Sequence, residues 1–174
     1  MARRGTRARR LAAAVSLAVA SSFLVGSVGL STNMDSRLLA AHNRERSALG
    51  IAPLAWDTDL AANAEEWAGH LAELNDLEHF TDDVDEGENL WLGTRRDFSP
   101  EAMVGLWVEE KKNFVPGVFP DNSRTGVLDD VGHYTQLMWR DTRRVGCAVS
   151  DNGEHEILVC RYARAGNVIG EVPF

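Results

Sequence analysis

The sequence predicts an α+β or layered α/β/α fold, in which helices cover a sheet around one core. Two amphipathic helical patterns follow an apolar leader, and a third helix follows a Ser-Pro-Glu start signal. Two apolar runs near the C-terminus flank a reverse-turn signal, as in a β-hairpin. Because no internal repeat or low-complexity tract divides the sequence, its 174 residues suit one domain after a leader.

The N-terminus has the composition of a secretory leader. The first ten residues carry five arginines and no acid, and an apolar run follows from Leu11 to Leu30. This order is typical of a signal peptide. The run is also nearly as long as the roughly 20 residues that span a bilayer. We therefore expect residues 1–30 to be a signal peptide or an uncleaved anchor, and the protein to be secreted to the periplasm or the exterior.

The charge of the chain limits its partners. The whole sequence has a net charge of −8. Without residues 1–30, which hold five arginines and no acid, 13 basic residues face 26 acidic ones, which gives −13. Such a surface repels phosphates and anionic lipid headgroups. Nucleic acids and anionic membrane surfaces are therefore not expected as partners, apart from a possible N-terminal anchor.

Two helices are predicted in the first half of the mature chain. The first runs from about Ser36 to Leu49, and Gly50 ends it. Asp57 can cap the second helix, which ends near Leu77. The apolar stripe of the second helix should face the core and consists of Leu60, Ala64, Trp67, Leu71 and Leu74.

A strand and two further helices are predicted next. Alternation favours a strand over residues 88–92. Ser99 and Pro100 begin a helix that reaches about Asn113. Two prolines interrupt residues 114–120, so that segment is predicted to be irregular. A short helix then begins at residue 132.

The two cysteines lie in the two C-terminal apolar runs. Cys147 and Cys160 flank Asp151-Asn152-Gly153, a strong turn signal, and a hairpin would bring them close enough to bridge. In an exported protein two such cysteines are expected to form a disulfide. A disulfide that closes a loop of this length stabilises the fold by about 3 kcal/mol. Two buried free thiols are the alternative. A redox or zinc role is not expected because the spacing is not Cys-x-x-Cys.

Two carboxylates occupy positions that should be at least partly buried. Glu110 lies three residues after Trp107 and four before Phe114, on the apolar stripe of the third helix. Glu88 shares a strand face with Leu90. Since an unpaired buried charge is costly, each carboxylate should be paired, hydrogen-bonded or bound to a cation. The alternatives are a structural ion pair of Glu110 with an arginine, and a solvated Glu88.

Two histidines could complete a site with these carboxylates. His133 lies in the first turn of the short helix, where the positive end of the helix dipole favours a neutral ring able to bind a metal. His79 lies just after the second helix, in a loop that could turn its ring inward. Either histidine could instead be a hydrogen-bonded core residue. Together the four residues indicate a divalent-metal or proton-transfer site.

Four motifs resemble those of a known family. In chain order they are His42–Arg46, Gly87–Leu90, Gly132–Trp139 and Leu158–Val168. Their identity and order make residues 35–174 similar to the CAP superfamily, or SCP domain, which includes cysteine-rich secretory proteins, insect venom antigens and plant pathogenesis-related class 1 proteins. The arginine-rich leader and the few cysteines favour a bacterial member.

The resemblance implies a three-layer α/β/α sandwich with a central antiparallel sheet and a large cleft. The family's tetrad would be His79, Glu88, Glu110 and His133. The two histidines would hold a divalent ion, with zinc as the expected metal, and the glutamates would lie nearby. Glu110 is assigned rather than Glu109 because the family glutamate lies three residues after a tryptophan.

The resemblance also implies roles for residues around the tetrad. Tyr134 and Gln136 would line or support the cleft. His42 and Arg46 would serve structural packing, and Cys147–Cys160 resembles a family disulfide.

Three functions are compatible with these features. The resemblance implies a secreted module that binds a sterol, a fatty acid or another small hydrophobic ligand, and the apolar segment 114–120 could contribute. A metal-dependent hydrolase of peptide or cell-wall substrates is the alternative, since a metal with an open position can activate water. The third is a non-catalytic structural or interaction module of the envelope. No catalytic residue is assigned, and Phe80 stands where many relatives have serine.

Overall fold

The computed structural model describes residues 28–81 and 85–174, with the backbone alone at residues 28–32. Most of the predicted leader therefore lies outside the described residues, so the choice between a signal peptide and an anchor stays open. In the described part of the chain, no helix has both the length and the hydropathy that crossing a membrane requires.

The order of elements follows the prediction, with differences at the ends. Helix α1 begins eight residues earlier than expected, and the third helix ends in a 3₁₀ turn at residues 110–112. A two-residue strand precedes α2 and was not predicted. The elements are α1 Val28–Ala48, β1 Ala55–Trp56, α2 Thr58–Leu74, β2 Gly87–Thr94, α3 Pro100–Glu109, α4 Gly132–Met138, β3 Arg144–Asp151 and β4 His155–Ala163.

The four strands form one sheet in the order β1-β3-β4-β2. The three long strands β3, β4 and β2 are antiparallel, as expected. The short β1 pairs in parallel with β3, so the sheet as a whole is mixed. In this register Glu88 on β2 lies directly opposite Arg161 on β4.

Side chains of the sheet alternate between two helical layers. Ile157 and Val159 on β4 pack with the buried face of α2. Their neighbours Leu158, Cys160 and Tyr162 pack on the opposite side, with residues of α1, α3 and α4. This alternation follows from the two-residue period of a strand. It gives the expected α/β/α sandwich.

Helix α2 approaches the sheet more closely than its predicted stripe implies. Its buried face includes Ala68 and Ala72, and a Cβ at Gly146 of β3 would lie 2.2 Å from the backbone nitrogen of Ala61. Because the small residues form the contact, the stripe is rotated. The predicted member Leu74 is consequently 47% exposed. The predicted cap is confirmed, since Asp57 accepts from two amides of the first turn.

The hairpin and its disulfide are as predicted. Cys147 and Cys160 lie directly opposite each other on β3 and β4 and are bonded. Both are buried on the side of α1. Gly153 in the turn has a φ of +95°, which few other residues adopt.

A buried arginine connects α1 with the end of α4. Arg46 is fully buried and donates to the carbonyl oxygens of Ala52, Leu137, Trp139 and Thr142. Burial lowers the pKa of its guanidinium to about 10. Since two acceptors lie at the C-terminal end of α4, Arg46 satisfies carbonyls that a helix end leaves free. The structural packing role expected of Arg46 fits this position.

A buried histidine begins a second connection from α1. His42 donates through Nδ1 to the carbonyl of Leu38, and its Nε2 accepts from the hydroxyl of Tyr162. Burial is the largest influence on the ring and lowers its pKa to about 4, so it is neutral. His42 is therefore also a packing residue.

Candidate metal site

A cavity of about 380 Å³ opens beside the start of β2 and the N-terminus of α4. Three of the four tetrad residues line this cavity, and the fourth lies behind His133. The lining residues are His79, Glu88, Asn89, Leu128, Asp129, Gly132, His133 and Asn167. The structure thus brings both histidines, 54 positions apart in the sequence, to one cavity.

The core fixes the ring of His133. Its Nδ1 lies 2.6 Å from Oε1 of Glu110, whose Oε2 accepts from the amide of Tyr134 at 3.0 Å. The ring also stacks on buried Trp107, with centroids 6.0 Å apart and planes 12° apart. The Trp107 indole is in turn hydrogen-bonded to the carbonyl of Leu90. Glu110 therefore pairs with a histidine, and the alternative of an arginine partner is not observed.

A different set of contacts holds His79. Its Nδ1 lies 2.7 Å from Oε1 of Glu88, which also accepts from the amide of Phe80. Oε2 of Glu88 accepts from Arg161 at 3.2 Å. The Glu88 side chain is only 8% exposed, whereas that of His79 is 65% exposed. Glu88 is thus not the solvated carboxylate of the alternative interpretation.

The electrostatic environment of His79 favours its protonated form. The hydrogen bond to Glu88 is the largest cause and raises the pKa of the ring, partial burial opposes it, and the charges of Glu88 and Asp129 add to the rise. Protons and a metal ion would therefore compete for this ring.

Both imidazoles line the cavity and use the same nitrogen, Nδ1, to contact a carboxylate. A carboxylate can only accept, so Nδ1 of each ring carries a proton and Nε2 keeps its lone pair when the ring is neutral. Neither Nε2 is hydrogen-bonded to another described residue. A metal-binding histidine commonly has this arrangement, with a carboxylate on its second nitrogen.

The tetrad does not form a closed cage. Among the described residues, no three donor atoms of the tetrad lie within 4.8 Å of one another. The one group that does combines His42 with Cys147 and Cys160, whose sulfur atoms are bonded to each other. That group is therefore part of the core.

Comparison with known proteins identifies the family. Residues 39–162 match the sequence profile described as CAP, the cysteine-rich secretory protein family. The chain belongs to the CAP family. It is 38% identical to pathogenesis-related protein 1C of Nicotiana tabacum over 144 residues, which are 82% of each protein. It is 39% identical to pathogenesis-related protein 1 of Arabidopsis thaliana over 135 residues, covering 77% of this chain and 78% of the relative.

Solved structures share the CAP fold at lower identity. Na-ASP-1 has a TM-score of 0.66 and 23% identity; the match covers 81% of this chain but only 41% of Na-ASP-1. The structure of NaASP2 with Zn²⁺ has a TM-score of 0.63 and 22% identity, covering 80% of this chain and 83% of NaASP2. These similarities establish the α+β fold. The bacterial origin stays a prediction.

Tyr134 and Gln136 of this CAP domain lie behind the cavity. Neither is among its lining residues, and both are buried. Tyr134 contributes its backbone amide to Glu110, while Oε1 of Gln136 accepts from the amide of Gly166. A Cβ at Gly87 would lie 2.1 Å from Oε1 of Gln136, so β2 and α4 meet here without a side chain between them. Of the two roles expected, support fits these positions and lining does not.

A buried amide at the site was not predicted from the sequence. Asn89 is 1% exposed and donates to the carbonyl of His133 and to the hydroxyl of Tyr162. It links α4 to the hydrogen bonds of His42 in the core. The signal was present in the Gly87-Glu88-Asn89 motif, where an amide alternates with a carboxylate and so faces the other layer.

Two further cavity residues were also missed. Asn167 has a φ of +56° and joins α4 by donating to the carbonyl of Gly132 and accepting from the hydroxyl of Thr135. Asp129 lines the cavity from the segment before α4. Its position four residues before His133 was visible in the sequence, but nothing there showed which way the segment turns.

Proposed function

We propose that this CAP domain binds a divalent cation through Nε2 of His79 and Nε2 of His133, and zinc is the expected ion. The observation that carries the proposal is the matched pair of carboxylate–imidazole contacts, at 2.7 and 2.6 Å, on two rings that line one cavity. Imidazole nitrogen is a preferred zinc ligand. The solved structure of NaASP2 with Zn²⁺ is compatible with such a site in this fold.

The two glutamates would orient the histidines and need not bind the ion directly. Both oxygens of Glu88 and both of Glu110 already accept hydrogen bonds from the protein. Two protein ligands leave the other positions of a four-coordinate ion to water or to a bound ligand. The site would therefore be an open one, of modest affinity.

An exported location fits the proposal. The Cys147–Cys160 disulfide is of a kind that persists in oxidising compartments. The basic and then apolar N-terminus is typical of a secretory leader. The relatives belong to a family described as secretory. We infer that the protein acts in the periplasm or outside the cell.

Zinc titration of the metal-free protein tests this function. Isothermal calorimetry should detect one site per chain in the wild type. His79→Ala and His133→Ala should each abolish it, because one imidazole rarely holds zinc alone. His155→Ala is the matched control, since His155 lies at the other end of β4 from the cavity and should leave binding unchanged. Equal binding by all four proteins would refute the site.

A hydrolase would need the ion to supply the nucleophile. No serine, threonine or cysteine is among the described residues that line the cavity. The coordination positions that the two histidines would leave open favour this second candidate, because a metal-bound water at such a position can act as the nucleophile. Turnover of peptide or cell-wall substrates should then vanish on chelation and in Glu110→Gln. If the chelator lowers the melting temperature while no substrate is turned over, the ion has a structural role.

A lipid or sterol ligand stays a prediction, and the apolar loop does not support it. Phe119 is 4% exposed and packs edge-on against Trp139. Phe114 packs between Tyr134 and Phe174. Because both rings cover the core, they are not free to bind a ligand. Mass spectrometry of lipids that co-purify with the mature protein tests the prediction directly.

A further inference from the structure

We propose that Arg161 is a positioning residue of the cation site, acting on His79 through Glu88. The inference rests on the proposed function, because it assigns how one of the two metal-binding rings is held. Arg161 itself does not line the cavity that contains the histidines.

Three groups hold the Arg161 guanidinium in place. Nη1 donates to Oε2 of Glu88 at 3.2 Å, and Nη2 lies 3.0 Å from Oε2 of Glu86, an ion pair without hydrogen-bond geometry. The guanidinium carbon lies 4.5 Å above the ring of Phe80. The side chain is 3% exposed, so these contacts are shielded from solvent. Arginine has the planar shape for such a site, and lysine does not.

The register of the sheet makes this contact direct. Glu88 and Arg161 are paired residues of β2 and β4 and point to the same face. On the other side of Arg161, the paired residue of β3 is Gly146, which has no side chain to compete. The cross-strand pair therefore brings the guanidinium and the carboxylate together without a long loop between them.

His79 depends on Glu88 more than His133 depends on Glu110. Among the described residues, the His79 ring hydrogen-bonds only to Glu88, whereas the His133 ring also stacks on Trp107. Within the described part of the chain, Oε2 of Glu88 accepts only from Arg161. Without Arg161 that oxygen would lose its described partner, and the carboxylate could rotate away from His79. The direction of Nε2 would then no longer be fixed.

The sign of the effect separates positioning from simple electrostatics. Arg161 carries a positive charge, so removing it as a bystander should strengthen the binding of a dication. Removing a residue that orients a metal-binding histidine should instead weaken binding, typically by about 10- to 100-fold. The two accounts predict opposite changes.

The experiment is zinc titration of metal-free wild type, Arg161→Gln and Arg37→Gln. Arg37→Gln is the matched control, since it removes the same charge from an ion pair with Glu101 that lies outside the cavity. Arg161→Gln should bind zinc about 10- to 100-fold more weakly, and the control should bind as tightly as wild type or slightly more tightly. Unchanged or tighter binding by folded Arg161→Gln overturns the inference.

A double-mutant cycle tests whether Arg161 acts through Glu88. If it does, Arg161→Gln should add little to the loss caused by Glu88→Gln, whereas independent effects would add. Additive losses would contradict the positioning role. Should Arg161→Gln fail to fold, Arg161→Lys keeps the charge and should still weaken binding several-fold, because the planar contacts are lost.

A measurement without metal distinguishes the two proposals. Long-range ¹⁵N–¹H spectra of the metal-free protein should show one His79 tautomer, protonated at Nδ1, in the wild type and a mixture in Arg161→Gln. If the spectra of the two proteins differ in this way but the wild type binds no zinc, the proposed function is refuted and the positioning role of Arg161 is retained. Identical His79 spectra in both proteins would remove the positioning role.

Discussion

The two histidines of the cavity are held in different ways. His133 lies on a helix, its ring is stacked on buried Trp107, and Glu110 accepts its Nδ1–H. His79 lies outside regular structure, is 65% exposed, and depends on the carboxylate of Glu88. The hydrophobic core thus builds one half of the site, and a polar cluster at the edge of the sheet builds the other.

The two halves of the site should respond differently to mutation. Packed side chains resist movement, so the His133 half should keep its geometry as long as the domain is folded. A loop histidine with one hydrogen bond opens at little cost, because few buried contacts hold it. The His79 half can therefore change its geometry without unfolding, and mutations should affect stability and binding differently in the two halves.

The largest expected contrast is between the aromatic residues of the two halves. Trp107→Ala should destabilise the domain by about 3–5 kcal/mol, because a buried tryptophan leaves a cavity. Phe80→Ala should cost only about 1 kcal/mol, since Phe80 is partly exposed, yet it should weaken zinc binding by loosening Arg161. Urea denaturation of both variants measures the loss of stability, and zinc titration measures the change in binding. Equal losses of stability would contradict the expected contrast.

Acid should weaken the His133 half first. Burial holds the pKa of His42 at about 4 in the folded protein, below its ordinary value of 6.5. As the pH falls, the unfolded chain therefore becomes protonated at His42 before the folded protein does. The stability that His42 contributes is full above pH 6.5 and is lost as the pH falls towards 4, by roughly 3 kcal/mol. Protonated His42 could not accept from Tyr162, which Asn89 connects to the carbonyl of His133.

Urea denaturation at pH 7 and pH 4.5 measures this dependence. His42→Gln should be less stable at pH 7 but should lose less stability on acidification than the wild type. His79 provides the opposite case, because its raised pKa adds stability at low pH that disappears as the pH rises through the folded value. His79→Gln should therefore keep the acid-sensitive slope, and a flattened slope in that variant would contradict the assignment to His42.

The sequence predicted local features better than contacts between strands. The Asp57 cap, the turn at Gly153 and the partial burial of Glu110 follow from neighbouring residues, and each is present in the fold. The grouping of His79, Glu88 and His133 was proposed from the positions of these residues and from the family resemblance, and all three line one cavity. The pairing of Glu88 with Arg161 could not be predicted, because it depends on the register of two strands 73 residues apart.

The burial of some polar residues and of one helix face was also not predicted from the sequence. Arg46 and Asn89 are polar, and only the folded structure shows that carbonyl and hydroxyl groups surround them. The exposed Leu74 is the converse case, since Ala68 and Ala72 form the contact that a larger apolar residue was expected to make. Periodicity identifies a helix face but does not determine how closely the helix approaches its neighbour.

Zinc should stabilise the fold by an amount that depends on both halves. At free zinc 100-fold above the dissociation constant, the wild type should gain about 2.7 kcal/mol. His79→Ala and His133→Ala should each lose this gain, and His133→Ala should lower the stability of the metal-free protein more than His79→Ala does. Thermal denaturation with zinc and with chelator measures both quantities. A gain that survives in His79→Ala would show that the ion binds elsewhere.

The smallest expected effect concerns the charge of Asp129. Asp129 lines the cavity and acts electrostatically on His79, but it is exposed, so its influence should be screened by salt. Asp129→Asn should weaken zinc binding about two- to fivefold at low ionic strength and hardly at all in 0.5 M salt. Stability should change by less than about 0.5 kcal/mol. Calorimetric titration at the two salt concentrations separates this long-range effect from direct ligation. A loss that persists undiminished at high salt would mean that Asp129 binds the ion itself, as a third protein ligand beside His79 and His133.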